Sequence, residues 1–148
     1  MIQPDLAKLF AAIAAAFPQW KPEPSTFEIY ALALSDIPIE RLRAAFVQHI
    51  RTSRFAPTVA ELREADELLQ GVLRGIVSDL TWRITAARDR IALIQAGQAV
   101  KVYGGDGVER IETVEELEAG ITRAEERVRE LTEPRAALHL LQVGGQSA

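Results

Sequence analysis

The residues that could make or break bonds are few in this sequence and poorly placed for it. Its two histidines, His49 and His139, lie far apart in the chain, and His49 stands one position before the apolar Ile50. Neither has a second histidine or a glutamate at the helical spacing that closes a metal site. Cysteine is absent, which excludes disulfides and thiolate metal sites. No serine or threonine stands beside both a histidine and a carboxylate, so no nucleophilic triad is suggested. The glycines of Gly104-Gly105-Asp106-Gly107 lack the lysine and hydroxyl residue of a phosphate loop. They also join two strand-like segments rather than a strand and a helix, which makes them a hairpin turn. Glu115, Glu116, Glu118, Glu125 and Glu126 interleave with Arg123, Arg127 and Arg129 at spacings that allow ion pairs along a solvated helix face. The expectation is a protein without catalysis, metal or cofactor.

Binding is the remaining chemistry. Trp82, Arg88, Lys101, Tyr103 and Asp106, around a long helix and a hairpin, are candidates for contact with a partner. Arg135, Leu138 and Leu141, in a short C-terminal segment, are added to them. Arg51, Arg54, Arg83 and Arg90 are the basic residues best placed to face DNA phosphates. With a formal net charge of −4, bulk nucleic-acid binding is not expected.

The elements that must position these residues are mainly helical. Pro4 and Asp5 open a first helix with Leu6, Leu9, Phe10, Ile13 and Phe17 on one face, and Pro18 closes it. After a proline-rich turn containing Trp20, the Ser25/Glu28 spacing predicts a capping box and a second helix carrying Phe27, Tyr30, Ala31 and Leu34. Pro38 begins a third helix with Ile39, Leu42, Phe46 and Ile50. A second capping box, Thr58/Glu61, begins a fourth with Val59, Leu62, Leu69, Val72 and Leu73. Gly71 and Gly75 weaken helix by about 1 kcal/mol each and suggest a bend and a module boundary. Leu80, Ile84, Ala87, Ile91 and Ile94 then step four and three residues, the seam of a helix facing a partner helix, with Gly97 as its cap.

Strand-like alternation at Val100–Tyr103, the glycine turn and a second strand over Val108–Glu112 follow. A third capping box, Thr113/Glu116, opens a helix whose Leu117, Ile121, Ala124, Val128 and Leu131 repeat the seam spacing. The two seam helices should pair antiparallel. Pro134 ends or kinks the last, 135–143 can form a short helix, and 144–148 read as a polar tail. The expected fold is therefore mainly α: an N-terminal four-helix module over 1–72, joined by a long helix to a helix–β-hairpin–helix (α+β) module over 73–134, with a C-terminal segment over 135–148. A single core is marginal in modules of about 70 residues, so each should lean on the other or on neighbouring subunits. No apolar run is long enough to span a bilayer, and no signal peptide is read at the N-terminus.

Two resemblances attach to these halves. Residues 6–65 carry Phe17-Pro18, Ile29-Tyr30, Leu34, Asp36-Ile37-Pro38, Ala45, Ile50 and the run Arg54-Phe-Ala-Pro-Thr-Val-Ala-Glu-Leu62. In these landmarks the segment resembles the N-terminal domain of phage-encoded loaders and inhibitors of the DnaB-type replicative helicase. That resemblance implies a small helical bundle, with a flexible C-terminal part engaging the helicase. Residues 86–131 carry Ile91, Ile94, Gly97, Val100-Lys-Val-Tyr-Gly-Gly-Asp-Gly107, Thr113-Val-Glu-Glu-Leu117 and Ile121 to Glu125. This stretch resembles the lambda W-type head-completion proteins, which form a ring between portal and tail. It departs from them after Pro134, where a basic, aromatic tail is missing.

The leading expectation from the sequence is a phage head–tail connector: an oligomeric ring docked on portal and neck or tail proteins, touching packaged DNA, made in the host cytoplasm and carried in the virion neck. The alternative is a replication protein that binds, inhibits and loads the DnaB-type helicase. A second alternative is an assembly chaperone or a module binding a host factor.

Overall fold

The structure, a computed structural model, describes the backbone of residues 2–146 and the side chains of residues 2–142. The chain forms two compact units. One runs to Leu73 and resumes at Glu133; the other is Arg74–Thr132. The fold is mainly α with one small antiparallel hairpin, as the sequence leads one to expect.

In the first unit, α1 (Pro4–Ala16) starts with proline at its first position, where the missing amide costs no hydrogen bond. Helix α2 (Pro24–Ala33) starts the same way, with Glu23 extended before it. The capping box expected at Ser25 and Glu28 does not form: Pro24 takes the first helical position, so Ser25 already lies inside the helix. Helix α3 (Ile39–Thr52) follows Pro38. Leu9, Phe10, Ile13, Phe17, Leu34, Ile37, Leu42, Ala45, Phe46 and Leu62 form one buried cluster, with Trp20, Phe27 and Tyr30 packed against it. Phe10 stacks on Phe27 at 5.3 Å, and Trp20 meets Phe27 edge-on at 5.9 Å, so the aromatics of the proline-rich turn lock α1 to α2.

Helix α4 (Val59–Gln95) is helical through Gly71 and Gly75, where the sequence suggests a bend. Its start is the Thr58/Glu61 box: Glu61 N–H donates to Thr58 Oγ1 at 3.1 Å, and Thr58 N–H donates to Glu61 Oε2 at 2.8 Å. Its end is a Schellman cap, with Gly97 at φ +86° and the amides of Gly97 and Gln98 donating to Ile94 and Leu93.

In the second unit, β1 (Lys101–Tyr103) pairs with β2 (Glu109–Ile111), Lys101 opposite Ile111 and Tyr103 opposite Glu109. The strands are shorter than the sequence suggests. Val108 and Glu112 fall outside β2 because the turn closes early, with Gly104 N–H donating to Val108 O at 3.0 Å. Gly107 is the turn residue with positive φ, at +74°. Helix α5 (Val114–Thr132) begins at the Thr113/Glu116 box, whose two reciprocal bonds are both 3.2 Å.

Helix α6 (Ala136–Gln146) follows Pro134 and packs on α3 within the first unit. Ala136, Ala137 and Leu141 are buried there, and Arg51 donates to Leu141 O at 3.1 Å. The helix runs through Gly144, where the sequence suggests a polar tail; the last two tail residues, 147 and 148, lie outside the described ones.

Candidate partner-binding surfaces

Two ion pairs fix the frame of the first unit. Asp66 is 3% exposed and accepts from Arg41 Nε at 2.9 Å and from Nη2 at 2.5 Å. Arg63 holds Asp36 through both carboxylate oxygens, at 2.5 and 3.2 Å, and donates to Ala33 O at 2.5 Å. The hydrogen bond from Arg63 is the main reason the Asp36 carboxyl is held below the usual carboxylate range. Hydrogen bonding to Asp66 likewise strengthens the hold of Arg41 on its proton. Burial, with the nearby Glu61 charge adding to it, raises the Tyr30 phenol, whose hydroxyl donates to Pro57 O at 3.2 Å. These contacts tie the turn after α2 and the start of α4 to the bundle.

On this frame the first unit leaves apolar groups outside. Ile29 and Leu32 on α2 are 63% and 79% exposed. Beside them a cavity of about 520 Å³ opens between Ile2, Leu6, Ala31, Leu34, Ile37 and Leu42. The sequence reading overlooked this patch, although a signal existed: at 100° per residue, Ile29 and Leu32 fall opposite the stripe of Phe27, Tyr30, Ala31 and Leu34. Phe55 was also missed. Its ring is 67% exposed with the Arg54 guanidinium 5.1 Å from its centroid, and its carbonyl is bound by buried His49 Nε2 at 2.7 Å. His49 is therefore a core residue that pins a loop rather than the surface residue its position suggested.

The structure separates the residues singled out from the sequence. Trp82 and Tyr103 are exposed, at 70% and 71%. Arg88 pairs with Glu125 at 2.8 Å, and Lys101 pairs with Glu109 at 2.9 Å. Asp106 serves the turn, accepting from Val108 N–H at 3.1 Å and facing Arg110 at 3.7 Å. Arg135 is exposed and Leu138 half-buried. Leu141 is a correction: it is buried in the first unit, because α6 turns that face onto α3, and it offers no surface to a partner. Of the basic residues, Arg51 is spent on Leu141 O, Arg54 stacks on Phe55, and Arg83 pairs with Asp79 at 3.0 Å. Arg90 is half-buried against Glu112 at 3.5 Å. They form no common basic face for DNA.

The second unit has a groove of about 390 Å³ between α4 and α5. Ile84, Ala87 and Leu117 are buried in it, whereas the other seam residues Leu80, Ile121 and Ala124 are only half-covered. Among the described residues no helix is long and apolar enough to cross a membrane.

These are surfaces for macromolecular contact on a mainly helical scaffold. Residues 1–63 match the family model of the phage gene 39 protein, N-terminal domain, which is of the helicase-loader and inhibitor type. The match covers α1 to α3 and the start of α4, and it supports the loader-type resemblance of the same stretch. No curated protein and no solved structure matches the chain. The match overturns the connector reading: it points to a phage protein of the helicase-binding, loader and inhibitor type, and the portal and neck partners lose their support. The head-completion resemblance of residues 86–131 rested on seam spacing and turn residues, features that specify a helix–hairpin–helix shape and no particular process.

Proposed function

We propose that this chain is a phage replication adaptor that binds a DnaB-type replicative helicase, restrains it and helps deliver it to an origin complex, acting in the host cytoplasm without catalysing a reaction. The observation that carries this reading is the match of residues 1–63 to the loader-type N-terminal domain. The landmarks of the resemblance agree with it physically: Phe17, Leu34, Ile37, Ala45 and Leu62 belong to one buried cluster. The resemblance places helicase contact in a flexible C-terminal part. Here Arg74–Thr132 is a folded unit, and its exposed Trp82, Tyr103 and Ile111 supply apolar contact area of the kind that anchors interfaces.

The test is unwinding by a DnaB-type hexamer on forked DNA with increasing amounts of this chain. Suppressed unwinding, relieved when an origin-complex protein is added, is the expected result. Unwinding that is unchanged at saturating chain sinks the reading.

A further inference from the structure

The groove of the second unit has the form of a helical hairpin missing its third helix. Leu80, Ile121 and Ala124 line it yet remain half-exposed, so the two seams do not close on each other. Gly120 lies in the α5 wall, and a Cβ built there would meet nothing nearer than Arg123 Nη2 at 4.0 Å. That leaves a notch where another backbone can approach closely.

The rim is basic. Arg83, Arg90, Arg123 and Arg127 line it against Glu112 and Glu116. Both carboxylates are engaged: Glu116 in the α5 capping box, and Glu112 facing Arg90. Arg83 and Arg127 are held only by exposed neighbours on their own helices, Asp79 and Glu130, each at 3.0 Å. Such pairs are weak and readily exchanged. Arg123 has no ion-pair partner among the described residues. At one end, Arg90 Nε and Glu112 Oε2 are buried without a hydrogen-bond partner, although they lie 3.5 Å apart. An apolar floor with an under-neutralised arginine rim and unmet polar atoms is an unfinished interface.

We propose that this groove binds an acidic amphipathic helix of a partner protein. Its apolar ridge covers Ile121 and Ala124 over the Gly120 notch, and its carboxylates meet Arg83, Arg123 and Arg127. A basic helix would set like charges against the rim. The apolar helix face that this chain itself exposes, Ile29 and Leu32, belongs to α2, whose one carboxylate is Glu28, so a second copy is the poorer fit. The site selects on chemistry and does not require that the helicase supply the helix.

The test uses the full chain and two labelled synthetic amphipathic helices with the same leucine ridge, one with a glutamate polar face and one with a lysine face, read by fluorescence anisotropy. The glutamate peptide should bind at least about tenfold tighter than the lysine peptide and weaken with salt. The double substitution Arg123→Glu with Arg127→Glu should reverse that preference, and Gly120→Leu should abolish binding of both, with helical circular dichroism retained. Should the double variant fail to fold, Gly120→Leu alone decides. Equal affinity for the two peptides, no binding of the glutamate peptide, binding that survives these substitutions, or a dimer of the free chain that covers Ile121 would each overturn the proposal.

Discussion

Asp66 shows how one buried charge organises the first unit. Its side chain is 4% exposed and that of Arg41 is 31% exposed, so removing the carboxylate strands a cation that can only partly reach water. Asp66→Ala should therefore cost roughly 2 kcal/mol, below the loss for a fully buried pair, and a thermal or urea melt would read it. The acid response has a definite sign. Asp36 is held low by Arg63, and Glu61 is held low chiefly by the Thr58 backbone amide. A depressed carboxyl contributes stability that is fully present above its unfolded value of about 4 and is lost as pH falls through the lower folded value. Stability should thus drop below about pH 4, and the combined Asp36→Asn, Glu61→Gln variant should flatten that slope; an unchanged slope in urea melts contradicts the assignment. The Thr58/Glu61 pair was legible in the sequence because its partners are three positions apart. The Arg41–Asp66 and Arg63–Asp36 pairs, 25 and 27 positions apart, were not, since only the tertiary fold brings them together.

At the scale of elements, the seams of α4 and α5 were correctly placed by their spacing but are filled unevenly. Leu117 and Leu131 are both 5% exposed, whereas Ile121 is half-covered in the groove. Leu117→Asp should unfold the second unit. Ile121→Asp, which the seam pattern alone would rank as equally damaging, should lower its melting temperature far less, because the carboxylate can reach solvent through the groove. Equal losses would mean that the groove is closed. The hairpin makes a similar distinction. The glycine cluster announced a turn, yet spacing could not say which glycine needs positive φ. That residue is Gly107, while Gly105 has an ordinary φ and open space around it. Gly107→Val should destabilise the hairpin by about 1–2 kcal/mol and Gly105→Val by much less, checked by amide exchange of β1 and β2. The failed Ser25/Glu28 box has a comparable cause: Pro24 starts α2 one residue early, and a three-residue spacing recurs wherever polar residues are common.

For the whole molecule, the order of elements was readable from periodicity and punctuation, but the placing of α6 was not. A short alanine- and leucine-rich segment after Pro134 carries no local sign that it returns to α3, ninety residues back in sequence, where Arg51 meets Leu141. Leu141→Ala should accordingly weaken the first unit by about 2 kcal/mol. The function was misjudged at this scale as well: a helix–hairpin–helix outline was weighed above the landmarks of residues 1–63, although the outline fits many processes. The central claim is that this chain recognises a replicative helicase. The most direct measurement is the native mass of the chain mixed with a purified DnaB-type hexamer, with portal-containing heads as the parallel sample. The account predicts a stable complex with the hexamer and none with heads; assembly onto heads together with no mass shift of the hexamer would contradict it.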